Sequence, residues 1–529
     1  MRRSSPWRSP SPGSLPALGT AFALIFACAS CDDRPVPAGP DVILITVDTL
    51  RADRLGFAGH AGAVTPNVDA LAARGRVFTQ ATTPLPRTTP ALASLLTGRA
   101  PGGLGAPGLG GGGHGSTEVG VPMTAGVPTL ATRLHALGWE TLAVSGTPVA
   151  GPDQGLDAGF ETFVVMPDPP ARDLTARALG LVQKADPDRP VLLWVHYTDP
   201  HFPYLPPVDA PVNPAAPACR ELAKKVTSGK LRRWRVFGDT GGVASAAKAD
   251  CDALYDAEIA HMDAAVGTLL SGLGARAQGL VVFSADHGEN MGEDGLWYEH
   301  GPTVADASLR VPLVIGGPGI APGEDGGVAR LEDVAPTLLA TLGLPPLPSS
   351  VGGDLRRAPS VRAPVALARS GSALHARLAV TLRAGRADDL NCLHGPVFSL
   401  CSKGFYDRRS DRALRQDRTG QHPEDEARLA TWAARWPAEQ TFQYTVRSPR
   451  WKLVATPTAE GGYRETVLPV GQGGWQLGAE SATAASGETV GALRAALPAV
   501  VREGLASSET VGPRSDETAD RLRALGYVE

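Results

Sequence analysis

Three nearly unbroken aliphatic runs end in residues able to hold a cation or move a proton. Val42-Ile-Leu-Ile-Thr-Val47 runs into Asp48, and Leu280-Val-Val-Phe-Ser-Ala285 runs into Asp286-His287-Gly288-Glu289. Val191-Leu-Leu-Trp-Val-His196 empties into Asp199-Pro-His201-Phe-Pro-Tyr204. Runs of this kind, without polar alternation, are the pattern of parallel strands buried on both faces. Ligands of open α/β sheets sit at the carboxyl ends of such strands. If the three are neighbours, two carboxylates, an imidazole and a hydroxyl meet at one sheet edge and make a divalent-metal site of mixed ligands. Buried Asp residues without a cation would cost several kcal/mol, on the order of the desolvation of unpaired charge. Each Asp taken singly also reads as the cap of its own βα turn.

The elements around these tips alternate strand and helix. Thr65-Pro-Asn67 to Gly75 carries the cap and stop signals of an amphipathic helix. Pro90 to Leu96 reads as a second helix, with Thr88 as its N-cap. Leu130 to Leu137 is helical and Glu140 to Ser145 a strand, with a Gly-rich loop over 102–115 before them. Tyr255 to Leu273 reads as a long amphipathic helix, Leu309 to Ile315 as a further strand, and Leu331 to Leu342 as a helix containing Pro336. The alternation over about 300 residues predicts an α/β fold: a large, mostly parallel sheet sandwiched by helices, with a smaller C-terminal α+β domain. The expected boundaries are a targeting segment at 1–31, a linker at 32–40, a catalytic domain at 41–345 and a C-terminal subdomain at 346–529. A Pro-rich, then basic segment at about 205–250 reads as an insertion. Its Lys224, Lys225, Lys230, Arg232, Arg233 and Arg235 form a solvated face or contact an anionic substrate. Phe442 to Val454 reads as two short antiparallel strands around a turn.

Length, 529 residues, allows a large core. A net charge of -4 gives no nucleic-acid footprint, and 62 Gly with 47 Pro beside 43% hydrophobic residues describe a loop-rich globular chain. Arg2, Arg3 and Arg8 precede an apolar run over 15–29 that is too short to span a bilayer comfortably. Small residues before Cys28 and Cys31 are similar to a bacterial lipoprotein signal, with Cys31, followed by Asp32 and Asp33, as the favoured lipidation site. An ordinary cleaved signal is the alternative. Either places the mature protein at the periplasm or cell surface, membrane-attached through a lipid anchor in the first case. In an exported chain, Cys219, Cys251, Cys392 and Cys401 suggest two disulfides, with the pairing left open.

Beyond these single residues, Asp41 to Gly56, Thr65 to Leu71, Thr88-Thr-Pro90-Ala-Leu92-Ala-Ser94-Leu-Leu-Thr97-Gly98-Arg99, Pro200 to Tyr204, Ser284 to Glu289, Leu309 to Leu313 and Asp333 to Leu339 follow in the order seen in the sulfatase family of the alkaline-phosphatase superfamily. The chain resembles that family through about residues 40–345; beyond it only Tyr444-Thr-Val-Arg447 to Leu453 and Leu522 to Tyr527 match. The resemblance implies an alkaline-phosphatase-like fold, a divalent metal (calcium, manganese or zinc) and hydrolysis of a small, glycan or lipid ester. Departures from the family pattern are specific. Thr88, Pro90 and Leu92 align with the C-x-P-x-R motif, so no formylglycine is expected and the motif arginine is missing. Thr49 stands where a second aspartate is usual, and Asp286-His287 where Asp-Asn is usual.

These departures resemble the superfamily's phosphodiesterases and phospho-group transferases, in which a metal-bound threonine is the nucleophile. The resemblance implies Asp48, Thr88, Asp286 and His287 as metal ligands. Thr88, His201 and His300 are then the catalytic set, and Arg87 and Asp199 contact the substrate. Asp199, His201 and His300 holding a second metal is an alternative. The expected function is metal-dependent hydrolysis of a sulfate or phosphate ester with Thr88 as nucleophile. The alternatives are a phospho-group transferase or phosphodiesterase, a sulfatase without formylglycine, and an inactive homologue that binds anionic glycans or lipids.

Overall fold

A computed structural model describes residues 39–101, 123–228, 242–293, 296–301, 303–362, 443–457, 463–470 and 485–498, strand segments at 366–369, 392–394, 398–401 and 404–407, and a few isolated residues. The amino-terminal segment with Cys28 and Cys31, the Gly-rich loop and the closing Leu522 to Tyr527 lie outside these. Among the described residues no helix is long and apolar enough to cross a membrane.

An eight-stranded sheet occupies the centre. In chain order its strands are β1 (Val42–Val47), β2 (Arg76–Thr82), β3 (Glu140–Ser145), β4 (Thr162–Val165), β5 (Val191–Tyr197), β6 (Leu280–Ala285), β9 (Leu313–Gly316) and β10 (Gly323–Arg330), while β7 (Asn290–Met291) and β8 (Trp297–Glu299) pair in a separate two-stranded sheet. Their spatial order is β10-β2-β9-β6-β1-β5-β3-β4. The pairings β1–β5, β1–β6, β3–β5, β3–β4 and β10–β2 are parallel. Only β9 runs against its neighbours β2 and β6. The mostly parallel α/β architecture is therefore as expected, and so is the adjacency of the three acidic strands. β1 lies between β5 and β6, with Val47 in register with both Tyr197 and Ala285. Every residue of β1 is buried, which explains why the run lacks alternation.

Several expected limits differ from those observed. The second helix, α2, begins at Thr88 rather than Pro90 and ends at Thr97. Thr88 is thus the first helical residue, and Arg87 occupies the cap position without a side-chain cap bond. The long helix spans Lys248–Leu273, a turn and more ahead of Tyr255. The extra length carries Cys251, joined by a disulfide to Cys219 in the helix Pro217–Thr227. Cys219, Leu222 and Cys251 belong to the main hydrophobic core, so this part of the expected insertion is packed structure. Its polar face keeps Lys224 and Lys225 exposed. Leu347 and Leu355 also join that core, which carries its packing past the expected limit at 345. Cys392 and Cys401 are register partners across two short antiparallel strands, Cys392–His394 and Phe398–Cys401.

A smaller antiparallel sheet of four strands, Ala366–Arg369, Tyr444–Arg447, Trp451–Pro457 and Tyr463–Pro469, lies C-terminal to this core. A buried ion cluster docks it. Asp306, on the short helix Asp306–Leu309, accepts from Arg447 and from Lys452 Nζ at 2.6 Å. Arg447 also donates to Gln80 at 3.0 Å, and Lys452 to the Val304 carbonyl at 2.6 Å. Two cations and one carboxylate in a water-poor interface hold each other only as a set. Truncating Asp306 strands both cations, so Asp306→Ala is expected to lower the free energy of unfolding by about 3–5 kcal/mol. Chemical denaturation of the variant beside the parent protein measures this, and a change under about 1 kcal/mol would contradict the docking role.

Candidate active site

The turn after β1 fixes the first carboxylate. Thr49 has a left-handed φ of 54°, its N–H donates to Asp286 Oδ1 at 3.2 Å, and its carbonyl accepts from the buried Tyr255 hydroxyl at 2.7 Å. The same hydroxyl accepts from the Arg51 N–H at 2.9 Å. Asp286 Oδ1 accepts also from the His287 N–H at 2.7 Å. With Oδ1 occupied by two backbone donors, Oδ2 has no hydrogen-bond partner.

His196 stands one residue short of the β5 tip, in register with Thr46. Its Nδ1 is hydrogen-bonded to Thr46 Oγ1 at 2.9 Å, and that oxygen also accepts from Trp194 Nε1 at 2.9 Å. Its Nε2 lies 4.0 Å from Asp48 Oδ2. Asp48, His196 and Asp286, all buried, offer donor atoms within 4.8 Å of one another. Sequence reasoning had missed His196. The available signal was a lone imidazole in an otherwise apolar strand.

Thr88 and His287 border this triad. The His287 Nδ1 lies 2.9 Å from the Gly288 carbonyl. A carbonyl only accepts, so Nδ1 carries the hydrogen and Nε2 presents a lone pair. That Nε2 is 3.4 Å from Thr88 Oγ1, 3.4 Å from Asp286 Oδ2 and 3.8 Å from Asp48 Oδ1. The Thr88 hydroxyl also lies beside the Asp286 carboxyl and lowers its pKa, against the larger rise from burial. Gly288 is required here, because a Cβ would stand 2.0 Å from the Ala307 carbonyl oxygen.

The remaining histidines adjoin. The His300 ring stacks on His287 at 4.2 Å between centroids, and His201 meets His300 edge-on at 5.6 Å. Flanking aromatics hold the two loops together: Phe202 stacks on Tyr298 at 5.1 Å, and Tyr204 packs on Tyr255 at 5.3 Å. Arg87 Nη2 is 3.7 Å from Glu299, and its guanidinium lies over Gly301, where a Cβ would come within 2.3 Å of Arg87 Nε. Thr88, His287, His300, His201 and Arg87 thus form one group of neighbours.

Asp199 is placed differently. Burial pushes its carboxyl up to about 7, and Asp168 adds in the same direction. Among the described residues its donor atoms do not converge with those of His201 and His300 into a metal-holding group. An acidic neighbourhood also suits a sulfate or phosphate poorly.

Burial, and Asp286 beside it, hold Asp48 well above the carboxylate range, and burial pushes Asp286 up to about 7. Burial likewise depresses His196 and His287 to about 3, so both imidazoles are neutral. Asp48 Oδ1, Asp286 Oδ2 and His196 Nε2 are buried without hydrogen-bond partners. Carboxyl oxygens and neutral imidazole nitrogens gathered at one place fit a divalent cation, which displaces their protons on binding.

The fold and site define an ester hydrolase of alkaline-phosphatase-like architecture. The Sulfatase family model matches residues 40–344, and the chain belongs to the sulfatase family. Human arylsulfatase A is 30% identical over 362 residues, covering 62% of this chain and 68% of that protein. Choline-sulfatase of Rhizobium meliloti is 27% identical over 380 residues, covering 58% and 68%. Among solved structures, the phosphonate monoester hydrolase of Agrobacterium radiobacter superposes with a TM-score of 0.56 at 20% identity, over 92% of this chain and 96% of that one. The enzyme of the same name from Silicibacter pomeroyi gives 0.54 at 18% identity, over 81% and 89%. At these identities the structural likeness speaks for the fold.

Because the folded pKa of Asp286 is raised, the metal-free protein holds its proton where the unfolded chain has lost it. That contribution to stability is complete below the ordinary carboxylate range and is lost as pH rises through about 7. Asp48→Asn is therefore expected to raise the unfolding temperature of chelator-treated protein at pH 8 and to lower that of the cation-loaded protein. Thermal scans of both forms check this, and the same sign in both would contradict a cation-holding pair.

Proposed function

We propose that the chain hydrolyses a sulfate or phosphate ester with the Thr88 hydroxyl as nucleophile, in place of formylglycine. The observation that carries the reading is the placement of Thr88 as first residue of α2, with its hydroxyl 3.4 Å from His287 Nε2 and beside the Asp286 carboxyl. Asp48, Asp286, His287 and Thr88, with His196 beside them, would hold a divalent cation. When bound, such a cation lowers the pKa of a nearby hydroxyl and neutralises charge on the ester oxygens.

The chain's own residues supply the rest. The Asp286 carboxylate takes the Thr88 proton as Oγ1 attacks sulfur or phosphorus. A new O–S or O–P bond forms, the bond to the leaving oxygen breaks with its electron pair, and that oxygen takes a proton from His201 or His300. Water then attacks the threonine ester and gives a proton to the same histidine, while the bond to Oγ1 breaks and Oγ1 recovers the proton held by Asp286. The Thr88 and Thr89 N–H groups at the start of α2 and the Arg87 guanidinium face the negative charge of the transferring group. Asp199 serves as a buried acid beside the His201 loop. The expected working compartment is the periplasm or cell surface.

Turnover of an aryl sulfate, an aryl phosphate monoester and a bis-aryl phosphodiester by the parent protein and Thr88→Ala tests the assignment. The parent is expected to turn over at least one of the three, with kcat reduced by roughly 10³-fold or more in the variant. Unchanged turnover in Thr88→Ala would remove Thr88 from the reaction. A parent protein inert on all three esters, yet retaining them on a binding column, would favour the binding homologue.

A further inference from the structure

Whether the cluster at the β1, β5 and β6 tips prefers a hard ion or a borderline one depends on how many nitrogens face it. Its oxygens come from Asp48 and Asp286, with the Thr88 hydroxyl beside them, and one nitrogen from His287, whose Nε2 is 3.4 Å from Asp286 Oδ2 and 3.8 Å from Asp48 Oδ1. The second nitrogen in reach is His196 Nε2, on a fully buried ring, 4.0 Å from Asp48 Oδ2 and without a hydrogen-bond partner. Ligands about 2.1 Å from a common ion stand about 3–4 Å apart, so the observed separations need little adjustment.

The ring is held on its far side. Nδ1 bonds Thr46 Oγ1, which is itself fixed by Trp194 Nε1, and Trp194 is locked by Phe160 and Phe163 at 5.7 and 5.8 Å. A ligand imidazole anchored through its other nitrogen is the usual arrangement of metal-binding histidine. Thr49, at the turn beside Asp48, brings no carboxylate to the cluster.

We infer that His196 is a metal ligand of this site. With His287 it makes a centre of two nitrogens, two carboxylates and the Thr88 hydroxyl, which selects a borderline transition ion of the zinc class over calcium or magnesium. Imidazole suits zinc-class ions, whereas calcium and magnesium take oxygen ligands. Thr46 is then a positioning residue that aims Nε2 at the carboxylates. The inference rests on the reading that the cluster holds a cation at all, and the test separates the two.

Chelator-treated full-length protein is titrated with Co²⁺, followed by its visible absorption and by metal analysis after gel filtration, with Ca²⁺ or Zn²⁺ as competitor. One Co²⁺ is expected to bind, to yield to Zn²⁺, and to persist in a tenfold excess of Ca²⁺. His196→Ala is expected to weaken Co²⁺ binding by about 100-fold or more and to change the band shape, and Thr46→Val to weaken it by about 10-fold. Circular dichroism of the metal-free forms controls for folding, and Thr46→Val carries the test if His196→Ala does not fold. Unchanged affinity and spectrum in the variants, or displacement of Co²⁺ by equimolar Ca²⁺, would overturn the inference while leaving a cation site in place. No Co²⁺ on the parent protein would overturn both.

Discussion

Asp48 and Asp286 leave the tips of adjacent parallel strands into a space with almost no solvent, and much of the surrounding structure answers to that crowding. Two unit charges about 4–5 Å apart at an effective dielectric of about 20 repel by roughly 3–4 kcal/mol, before any desolvation is counted. The surroundings compensate only in part. Two backbone N–H groups bond one oxygen of Asp286, and two imidazoles stand neutral rather than charged. The charge left over is what a divalent ion would neutralise, so a pair that is costly alone becomes a binding device.

Support for the pair extends outward in layers. Tyr255 braces the turn at Thr49 and Arg51. Gly288 lets the backbone at Ala307 lie against the His287 loop, with the Gly288 N–H donating to the Ser308 carbonyl at 2.9 Å. The adjacent Asp306 is the residue that docks the C-terminal sheet through Arg447 and Lys452. Strands more than 130 residues downstream in sequence are therefore tied to the loop beside the site. Because the cost of breaking a buried ion cluster exceeds the gain from making one, such a tie fixes geometry more than it adds stability.

The sequence made the parts around Asp48 legible because their cause is local. Val42–Val47 and Leu280–Ala285 read as buried strands since each is apolar on both faces, and their acidic tips marked the sheet edge. His196 was hidden because its role depends on register. Only the pairing with Thr46 brings it level with the carboxylates, and pairing is non-local. Thr88 read as a cap since Thr before Thr-Pro suits that position, yet it is the first helical residue, with its hydroxyl 3.4 Å from His287 Nε2. The reversed direction of β9 has no signature in its four residues. The Pro217–Thr227 helix looked like insertion because its charged face is what composition registers, while Cys219 and Leu222 on the other face carry the packing.

The proposed nucleophile is the Thr88 hydroxyl. The direct measurement is peptide mass spectrometry of protein quenched during turnover of a slow aryl ester. A sulfo- or phospho-group on Thr88, absent from protein quenched without substrate and decaying as product forms, is the predicted result. Full turnover with no adduct on the Thr88 peptide, or an adduct forming at the same rate on another residue, would contradict it.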